Sequence, residues 1–371
     1  MPAVREPGLF VNHPVPDPIA DPAVAERLLD RELVGVEAER LREIVAGREI
    51  LVTGGGGSIG GRLARLLAQL DVAGLTLLDH TERALFWSGE VLKEYAPGVP
   101  VRRVLGSVTD RGCVERTFAE ARPEMVFHAA AYKHVSMVEE NPVAGAETNV
   151  LGTDILLRAC LDAGVPRLLL ISSDKAARPA NVMGATKRVA ERLVSAAAPA
   201  GYASVRFGNV LGSSGSVLQI FRRRLAAGLP IEVRDPRATR YFMTAEEASQ
   251  LLVLTTGLAQ PGDLMVLRVG GPLRIETLAK RLLAECVREG SPAAGAQAEP
   301  LRHGELGTGE KLHETLRGGL EEETTECEWV RRLTQIEENA VALAGGVSGL
   351  REACAARDAD AVRKLLQELA D

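Results

Sequence analysis

The chain has 371 residues, of which 46% are hydrophobic and 25% are charged, enough for about two globular domains. Its formal net charge of −6 provides no basic field that would attract nucleic acid or an anionic membrane. Five scattered cysteines without C-x-x-C pairs predict free thiols in a reducing cytoplasm, the six histidines lack metal-ligand spacing, and no apolar run approaches the ~20 residues of a membrane span. We therefore expect a cytoplasmic protein with no metal, no nucleic-acid partner and no membrane span.

The N-terminal part predicts an arm followed by helix. Residues 1 to about 18 are rich in proline, which disfavours a helix there. A helical pattern of apolar residues then runs from Pro22 to Ala46. We expect residues 1–48 to form an arm and a helical linker that packs on the main domain or on a neighbouring subunit.

The next stretch predicts a strand, a tight turn and a helix. Apolar residues at Ile50–Val52 stop at a glycine cluster, and apolar residues recur at helical spacing from Ile59 to Leu70. The cluster contains G-x-G-x-x-G from Gly55 and an overlapping T-G-x-x-G-x-x-G. Glycines there let a pyrophosphate approach the N–H groups of a helix N-terminus. The turn residues expected to bind a cofactor are Thr53, Gly54, Gly57, Ser58, Ile59 and Gly60.

An acidic residue ends the second strand. Leu75–Leu78 is apolar and is followed by Asp79, a place where a carboxylate can accept both ribose hydroxyls of an adenosine. Strand, helix and acid together favour a dinucleotide site over a glycine turn with only a structural role. Asp79 favours NAD because its charge would repel a 2′-phosphate, whereas Arg83 leaves NADP open.

Strands and helices continue to alternate. The predicted helices are Glu82–Tyr95, Asp110–Ala121 and Val143–Ala163. They alternate with the predicted strands Val101–Leu105, Met125–Ala129 and Arg167–Ser172. Alternation of this kind requires right-handed crossovers, so we predict an α/β fold with a doubly wound parallel sheet and ligands outside the C-terminal strand ends.

The predicted organisation has four parts. A nucleotide-binding domain at 49–210 follows the linker, and a smaller, partly interleaved substrate-binding region follows at 211–320. The remainder, 321–371, is predicted as a helical extension that begins with an acidic turn. Its helices, near Thr334–Leu343 and Asp358–Leu369, show amphipathic periodicity without chemical motifs and are expected to serve packing or oligomer contact.

The fourth strand leads into small residues that suit close approach of a cofactor, namely Ala129, Ala130 and Ala131. Lys133 could reach a substrate or a phosphate, and the alternative is a solvated lysine in a turn. Asn149, inside the long helix, is interpreted as a support residue for the sheet or for a catalytic lysine.

The fifth strand opens into Ser172-Ser-Asp-Lys175, and a helix containing Met183-Gly-Ala-Thr-Lys187 follows. With the glycine turn, Asp79 and the HAAAYKHV stretch, these motifs resemble the extended short-chain dehydrogenase/reductase superfamily. The chain is most similar to its UDP-N-acetylglucosamine 4,6-dehydratases of capsule, flagellin-glycan and bacillosamine synthesis. The likeness continues in the family's order through 206–216, 235–243 and 309–311.

This resemblance implies a Rossmann sheet and a catalytic cycle. Oxidation of C4 of a UDP-hexosamine by bound NAD makes the C5 proton acidic, water is lost across C5 and C6, and the hydride returns to C6. NAD would then be tightly held and never consumed. A homo-oligomer is expected.

The resemblance also implies residue roles. Lys187 would bind the nicotinamide ribose, and Met183 stands where the superfamily usually has a tyrosine base, as in some members of this dehydratase family. Ser173 would contact the 4-hydroxyl and relay its proton. Asp174 would be the acid for the departing 6-hydroxyl and Lys175 the base at C5, against the alternative of a solvated turn pair.

Further site residues complete the expected set. Ser107 and Val108 would lie near adenine, where relatives often have an acid in place of the serine. Residues expected to bind the nucleotide sugar are Lys133, Asn209, Ser216, Arg240 and Glu310. Two other functions stay open, a nucleotide-sugar 4-epimerase or dehydrogenase on the same fold, and a catalytically silent nucleotide-binding protein that Met183 alone would support.

Overall fold

The computed structural model describes residues 21–197, 201–289, 300–334 and 339–371. The strands in these ranges are β1 (Glu49–Thr53), β2 (Gly74–Asp79), β3 (Val101–Leu105), β4 (Met125–His128), β5 (Arg167–Ile171), β6 (Tyr202–Arg206), β7 (Asn209–Val210), β8 (Ile231–Val233), β9 (Thr239–Arg240), β10 (Phe242–Met243), β11 (Leu264–Leu267), β12 (Leu273–Arg274), β13 (Leu301–His303), β14 (Glu322–Thr324) and β15 (Val330–Leu333).

The α-helices in the same ranges are α1 (Pro22–Leu29), α2 (Ala38–Val45), α3 (Ser58–Leu67), α4 (Glu82–Tyr95), α5 (Arg111–Ala121), α6 (Val135–Glu140), α7 (Pro142–Ala146), α8 (Gly152–Asp162), α9 (Val182–Ala196), α10 (Val217–Ala226), α11 (Ala245–Leu258), α12 (Ile275–Arg288), α13 (Ala340–Ala355) and α14 (Ala359–Ala370). A π-helical segment, Glu147–Leu151, joins α7 to α8, so the predicted long helix is one helical path with a π-bulge inside it.

Nine strands form one sheet in the order β14-β15-β11-β6-β5-β4-β1-β2-β3. The seven strands from β11 to β3 run parallel, which confirms the doubly wound α/β prediction. The strand order reverses beside β1, because β2 and β3 lie on one side of it and β4 to β6 on the other. A crevice opens outside the carboxyl ends of β1 and β4 at such a reversal, and ligands bind there in open α/β sheets.

The other two strands of the sheet were not predicted. Beyond Glu321 the sequence suggests an acidic turn and helices, but β15 pairs with β11 and β14 pairs with β15, both antiparallel. Helix α13 begins at Ala340, and residues 335–338 of the predicted helix lie outside the described residues. The predicted N-terminal arm, residues 1–18, also lies outside them.

The segment predicted as one helical stretch from Pro22 to Ala46 is two helices. Asp30 adopts a left-handed conformation, with φ 58°, and ends α1, and residues 31–37 are not helical before α2 begins. The link is fixed to this chain by Arg31, which donates to both carboxylate oxygens of Glu247 at 2.6 and 3.0 Å. The segment therefore packs on the main body of its own chain.

The sheet has a hydrophobic core on each face. One face packs against α2, α3 and α11, and the other against α5, α8, α9 and the C-terminal helices α13 and α14. A smaller, separate core joins α1, α10 and α12 with β8. No helix within the described ranges is both long enough and apolar enough to cross a membrane.

Candidate active site

The glycine turn after β1 lies against the end of β4 with no room for side chains. Gly54 has φ 68°, and a Cβ there would lie 2.8 Å from the backbone nitrogen of Ala130. A Cβ on Gly60 would lie 2.1 Å from the carbonyl oxygen of Gly54. The turn therefore needs glycine at both positions, and Gly57 precedes the first residue of α3, so the N-terminus of this helix opens toward the crevice.

The crevice has a volume of about 570 Å³. Many of the residues expected to bind a cofactor line it: Gly54, Gly57, Ser58, Asp79, Ser107, Val108, Ala129, Ala130 and Ala131. Thr53 and Gly60 are buried and do not line the crevice, and they support the glycine turn. The loop 212–214, within the segment 206–216 that carries the family likeness, also lines the crevice. His80, Trp87 and Tyr132 line it as well and were not predicted as site residues. The glycine edge, the helix N-terminus and the acid fit a dinucleotide.

Asp79 is oriented by backbone amides. Its Oδ2 accepts from Gly56 N at 2.9 Å, and its Oδ1 accepts from Thr81 N at 2.8 Å. The side chain lines the crevice although the residue is only 8% exposed. Each carboxylate oxygen can accept a further hydrogen bond, so Asp79 retains acceptor capacity for ribose hydroxyls.

A second loop closes over the glycine turn. The backbone N–H of Ser214 donates to Ser58 Oγ at 2.9 Å. Gly215, with φ 67°, lies so close to His134 that a Cβ would be 2.4 Å from its ring. The loop after β7 therefore contacts both the glycine turn after β1 and the loop after β4.

A buried hydrogen-bond chain connects β1 to the π-helical segment. The Thr153 hydroxyl donates to Asn149 O at 2.7 Å, so its oxygen can only accept from His128 Nε2, 2.9 Å away. His128 Nδ1 then accepts from the Thr53 hydroxyl at 2.7 Å. The arrangement requires a neutral imidazole, and burial together with the charge of Lys187 lowers the pKa of His128 to about 3.

Because of these buried hydrogen bonds to His128, we expect the stability of the protein to decrease in acid. Because the unfolded state binds a proton near pH 6.5 and the folded state only near pH 3, stability is fully present above pH 6.5 and falls as the pH drops toward 3. Between pH 7 and pH 5 the His128 contribution amounts to about 2 kcal/mol. Chemical denaturation at several pH values should show this slope reduced in His128→Gln. An unchanged slope, or an equal reduction in the exposed-site control His303→Gln, would contradict the assignment.

Asn149 braces the site, in line with the sequence interpretation. Its side chain accepts from Tyr132 N at 2.8 Å and donates to Tyr132 O at 3.0 Å, and it also donates to Thr186 Oγ1 at 2.9 Å. Thr186 in turn donates to the carbonyl oxygen of Met183. The π-helical segment therefore ties the loop after β4 to the first turns of α9.

The residues after β5 form a compact polar group. Asp174 is fully buried, and its Oδ1 accepts from both Ser173 Oγ and Lys175 Nζ, each at 2.9 Å. Its Oδ2 is buried and makes no hydrogen bond within the described part of the chain. Lys175 is also largely buried, with 19% of its side chain exposed. This arrangement is not a solvated turn pair, because the charges are desolvated and one acceptor atom is left open.

Helix α9 places two more residues beside this group. Lys187 Nζ donates to the carbonyl oxygen of Ile171, the last residue of β5, at 2.6 Å. Burial lowers the pKa of Lys187 to about 8, although the charge of Glu191 opposes the shift. Met183 lies one turn earlier and is 2% exposed, packed in the core on this face of the sheet. The thioether of Met183 cannot take a proton, so this residue cannot act as a base.

The expected nucleotide-sugar residues lie around the smaller core. Asn209 begins β7, and Ser216 occupies the N-cap position of α10 without a capping hydrogen bond, since its buried hydroxyl has no partner in the described ranges. Arg240 lies in β9 and donates to the carbonyl oxygens of Thr239 and Leu312. Lys133 is exposed, yet surrounding protein lowers its pKa by partial desolvation. These residues lie on four separate segments of the chain.

Glu310 is engaged by a residue that the sequence analysis missed. Its carboxylate pairs with Arg234 and accepts from Gly307 N at 3.2 Å. Partial burial is the largest single influence and raises the pKa of Glu310, but the hydrogen bond and charge of Arg234, the Gly307 amide and the charge of Arg240 together lower this pKa below its usual value. Nothing in the sequence near Arg234 signals this pair, because the partners are 76 residues apart. Within the described residues, no cluster of His, Cys, Asp or Glu could hold a metal ion.

Comparison with known proteins gives close matches. A family model described as polysaccharide biosynthesis protein matches residues 50–336. The capsular polysaccharide biosynthesis protein CapD of Staphylococcus aureus is 38% identical over 263 residues, 70% of this chain and 44% of that protein. A UDP-N-acetylglucosamine 4,6-dehydratase (inverting) of Campylobacter jejuni subsp. jejuni serotype O:23/36 is 30% identical over 285 residues, 73% of this chain and 77% of that protein.

Solved structures share the fold. Pen from Bacillus thuringiensis has a TM-score of 0.67 at 27% identity, covering 74% of this chain and 83% of that chain. DesIV, a dTDP-glucose 4,6-dehydratase from Streptomyces venezuelae solved with NAD bound, has a TM-score of 0.63 at 22% identity, covering 82% of this chain and 97% of that chain. The chain spans about half the length of two curated relatives, 44% of CapD and 48% of the probable polysaccharide biosynthesis protein EpsC of Bacillus subtilis.

Proposed function

Since this chain belongs to the polysaccharide biosynthesis protein family, which confirms its expected place among the extended short-chain dehydrogenase/reductases, we propose that it is a nucleotide-sugar 4,6-dehydratase. We propose UDP-N-acetylglucosamine as the substrate and NAD as the bound cofactor. The observation that carries the proposal is the buried Asp174 and Lys175 pair at the end of β5, with one carboxylate oxygen left open. An elimination needs an acid and a base side by side, which this pair offers.

The dinucleotide, when bound, would accept the hydride that leaves C4 of the sugar as the ketone forms, and would later return that hydride to C6. Asp79 and the glycine turn would hold its adenosine and diphosphate, and Lys187 its nicotinamide ribose. Ser173 would take a hydrogen bond from the 4-hydroxyl and pass its proton on through water or substrate hydroxyls, since Met183 has no basic atom.

The ion pair can produce both forms that the elimination requires. Transfer of one proton from Lys175 Nζ to Asp174, along their 2.9 Å hydrogen bond, yields a neutral amine and a carboxylic acid. The amine takes the C5 proton, and the acid gives its proton to the departing 6-hydroxyl as water. Both groups then have their original charges. As the hydride returns to C6, the Lys175 ammonium would return a proton to C5, and the proton released earlier from the 4-hydroxyl would restore the ammonium, so that the pair is ready for another turnover.

The nucleotide half of the substrate would lie toward the smaller core. Arg240 would contact the diphosphate or stack on the base, and Glu310 would accept ribose hydroxyls while Arg234 orients its carboxylate. Asn209 and Ser216 would present short polar groups to the sugar diphosphate. Lys133, exposed at the loop after β4, would contact a phosphate.

A direct test uses mass spectrometry of the purified protein with UDP-N-acetylglucosamine in deuterated solvent. We expect a product that has lost one water and gained one deuterium at C5, with no net consumption of dinucleotide. Inversion at C4 without loss of water would instead support an epimerase, for which Met183 is unsuited. No turnover with any nucleotide sugar, together with no dinucleotide in the protein, would refute the proposal.

A further inference from the structure

The first turn of α9 is held from outside the sheet by a charged contact. Glu139, near the end of α6, accepts the backbone N–H of Val182 at 2.6 Å through Oε1. Val182 is the first residue of α9, whose N-cap Asn181 accepts from Gly184 N at 2.7 Å. The helix start is thus capped twice, and a carboxylate there also meets the positive end of the helix dipole.

Glu139 is itself held by the C-terminal helix α14. Arg363 donates to Glu139 Oε2 at 2.8 Å and also to the carbonyl oxygen of Glu139. The Glu139 side chain is 21% exposed and that of Arg363 is 39% exposed, so the pair is partly shielded from solvent. With both contacts to one residue, Arg363 fixes the direction of the carboxylate that caps α9.

The same helix packs along α9. Leu366 and Val362 of α14 are buried in the core that contains Met183. Near the other end of α9, Arg192 donates to the carbonyl oxygen of Leu369 at 2.7 Å. Helix α14 therefore contacts α9 along its length, and Met183 and Lys187, of which Lys187 has the proposed role at the nicotinamide ribose, lie in the part nearest Glu139.

The start of α9 also contacts the proposed substrate half. Asn181 Nδ2 donates to the carbonyl oxygen of Gly309, next to Glu310, at 2.9 Å. Gly309 has φ 76°, and a Cβ there would lie 2.8 Å from the Asn181 Cβ. A shift at the first turn of α9 would therefore displace both the nicotinamide side and the nucleotide side of the site.

We infer that Arg363 is a positioning residue, which acts through Glu139 to hold the first turn of α9 and so the placement of Met183 and Lys187. This inference rests on the proposed function for its effect on turnover, but not for its effect on the helix. It assigns a role in the reaction to the last helix, α14, which carries no chemical motif of its own.

The test compares Arg363→Ala and Glu139→Gln with Arg363→Lys and with the control Arg351→Ala. Arg351 belongs to α13, pairs with Asp154 of α8 at 2.7 Å and is similarly exposed, but no contact joins it to the start of α9 among the described residues. We expect kcat to fall about tenfold or more in Arg363→Ala and Glu139→Gln, with a smaller change, up to about threefold, in KM and in bound dinucleotide, because the start of α9 shifts while the glycine turn and Asp79 stay in place. Arg363→Lys should recover at least half of the lost activity.

Amide hydrogen exchange provides a readout that does not depend on activity. Residues 182–186 should exchange at least tenfold faster in Arg363→Ala and should be unchanged in Arg351→Ala. Unchanged exchange in Arg363→Ala, or an equal loss of kcat in Arg351→Ala, would overturn the inference. A wild-type protein without dehydratase activity would refute the proposed function instead, and exchange alone would then decide whether Arg363 holds the helix.

Discussion

Replacing Lys175 with alanine is expected to reduce formation of the 4-keto-6-deoxy product by about 10³-fold, within the range of losses for general acid–base groups. The variant removes the only atom on this loop that can become a neutral amine beside Asp174. It should still bind the dinucleotide, because Lys175 does not line the crevice at the glycine turn. Product formation and solvent deuterium at C5 are measured together by mass spectrometry.

Deuterium at C5 reports removal of the C5 proton, and the mass of the product reports loss of water. If Lys175 is the base, exchange at C5 and loss of water should fall in parallel while the content of bound dinucleotide stays constant. Lys280→Ala is a control that removes a lysine from an ion pair outside the site, since Lys280 pairs with Glu276 on α12 and is 61% exposed. An undiminished rate in Lys175→Ala would contradict the role of Lys175, and an equal loss in Lys280→Ala would show that the assay reports stability.

Local signals explain why so much of the sheet was predictable. The bounds predicted for α4 and β3 are those observed, because each is a periodic segment bounded by turn residues. The glycine turn and Asp79 were also predictable, since a close backbone approach leaves few choices of residue. The ends of parallel strands fall at one edge, so the motifs there could be expected to come together.

Other features depend on contacts that a sequence does not display. Strands β14 and β15 are short and rich in charged residues without a two-residue hydrophobic period, and only the pairing of β15 with β11 and of β14 with β15 makes them part of the sheet. The burial of Asp174 follows from the elements packed around it, whereas its local sequence resembles an exposed turn. Glu139 and Val182 are 43 residues apart, and Arg363 is 224 residues from Glu139, so no local pattern indicates them.

The second large expected effect is a loss of folding stability when the buried ion pair of Arg206 and Glu191, next to the end of β5, is broken. Arg206, 1% exposed, donates to both carboxylate oxygens of Glu191, at 2.8 and 2.6 Å, and Glu191 is 2% exposed. Ser172 also donates to Glu191 at 2.5 Å, so the pair joins β6, α9 and the end of β5. We expect Arg206→Met to lower the free energy of unfolding by about 3 kcal/mol or more, because it leaves a buried carboxylate without its main partner.

Removing both charges should cost less than removing one. In Glu191→Gln/Arg206→Met the amide can still accept from Ser172, while neither of the two positions carries a charge, so we expect at least half of the lost stability to return. Urea denaturation of the wild type, both single variants and the double variant gives the coupling free energy directly. Strictly additive losses would contradict the picture, since they would mean that Glu191 and Arg206 contribute independently and that desolvation of an unpaired charge is not the cause.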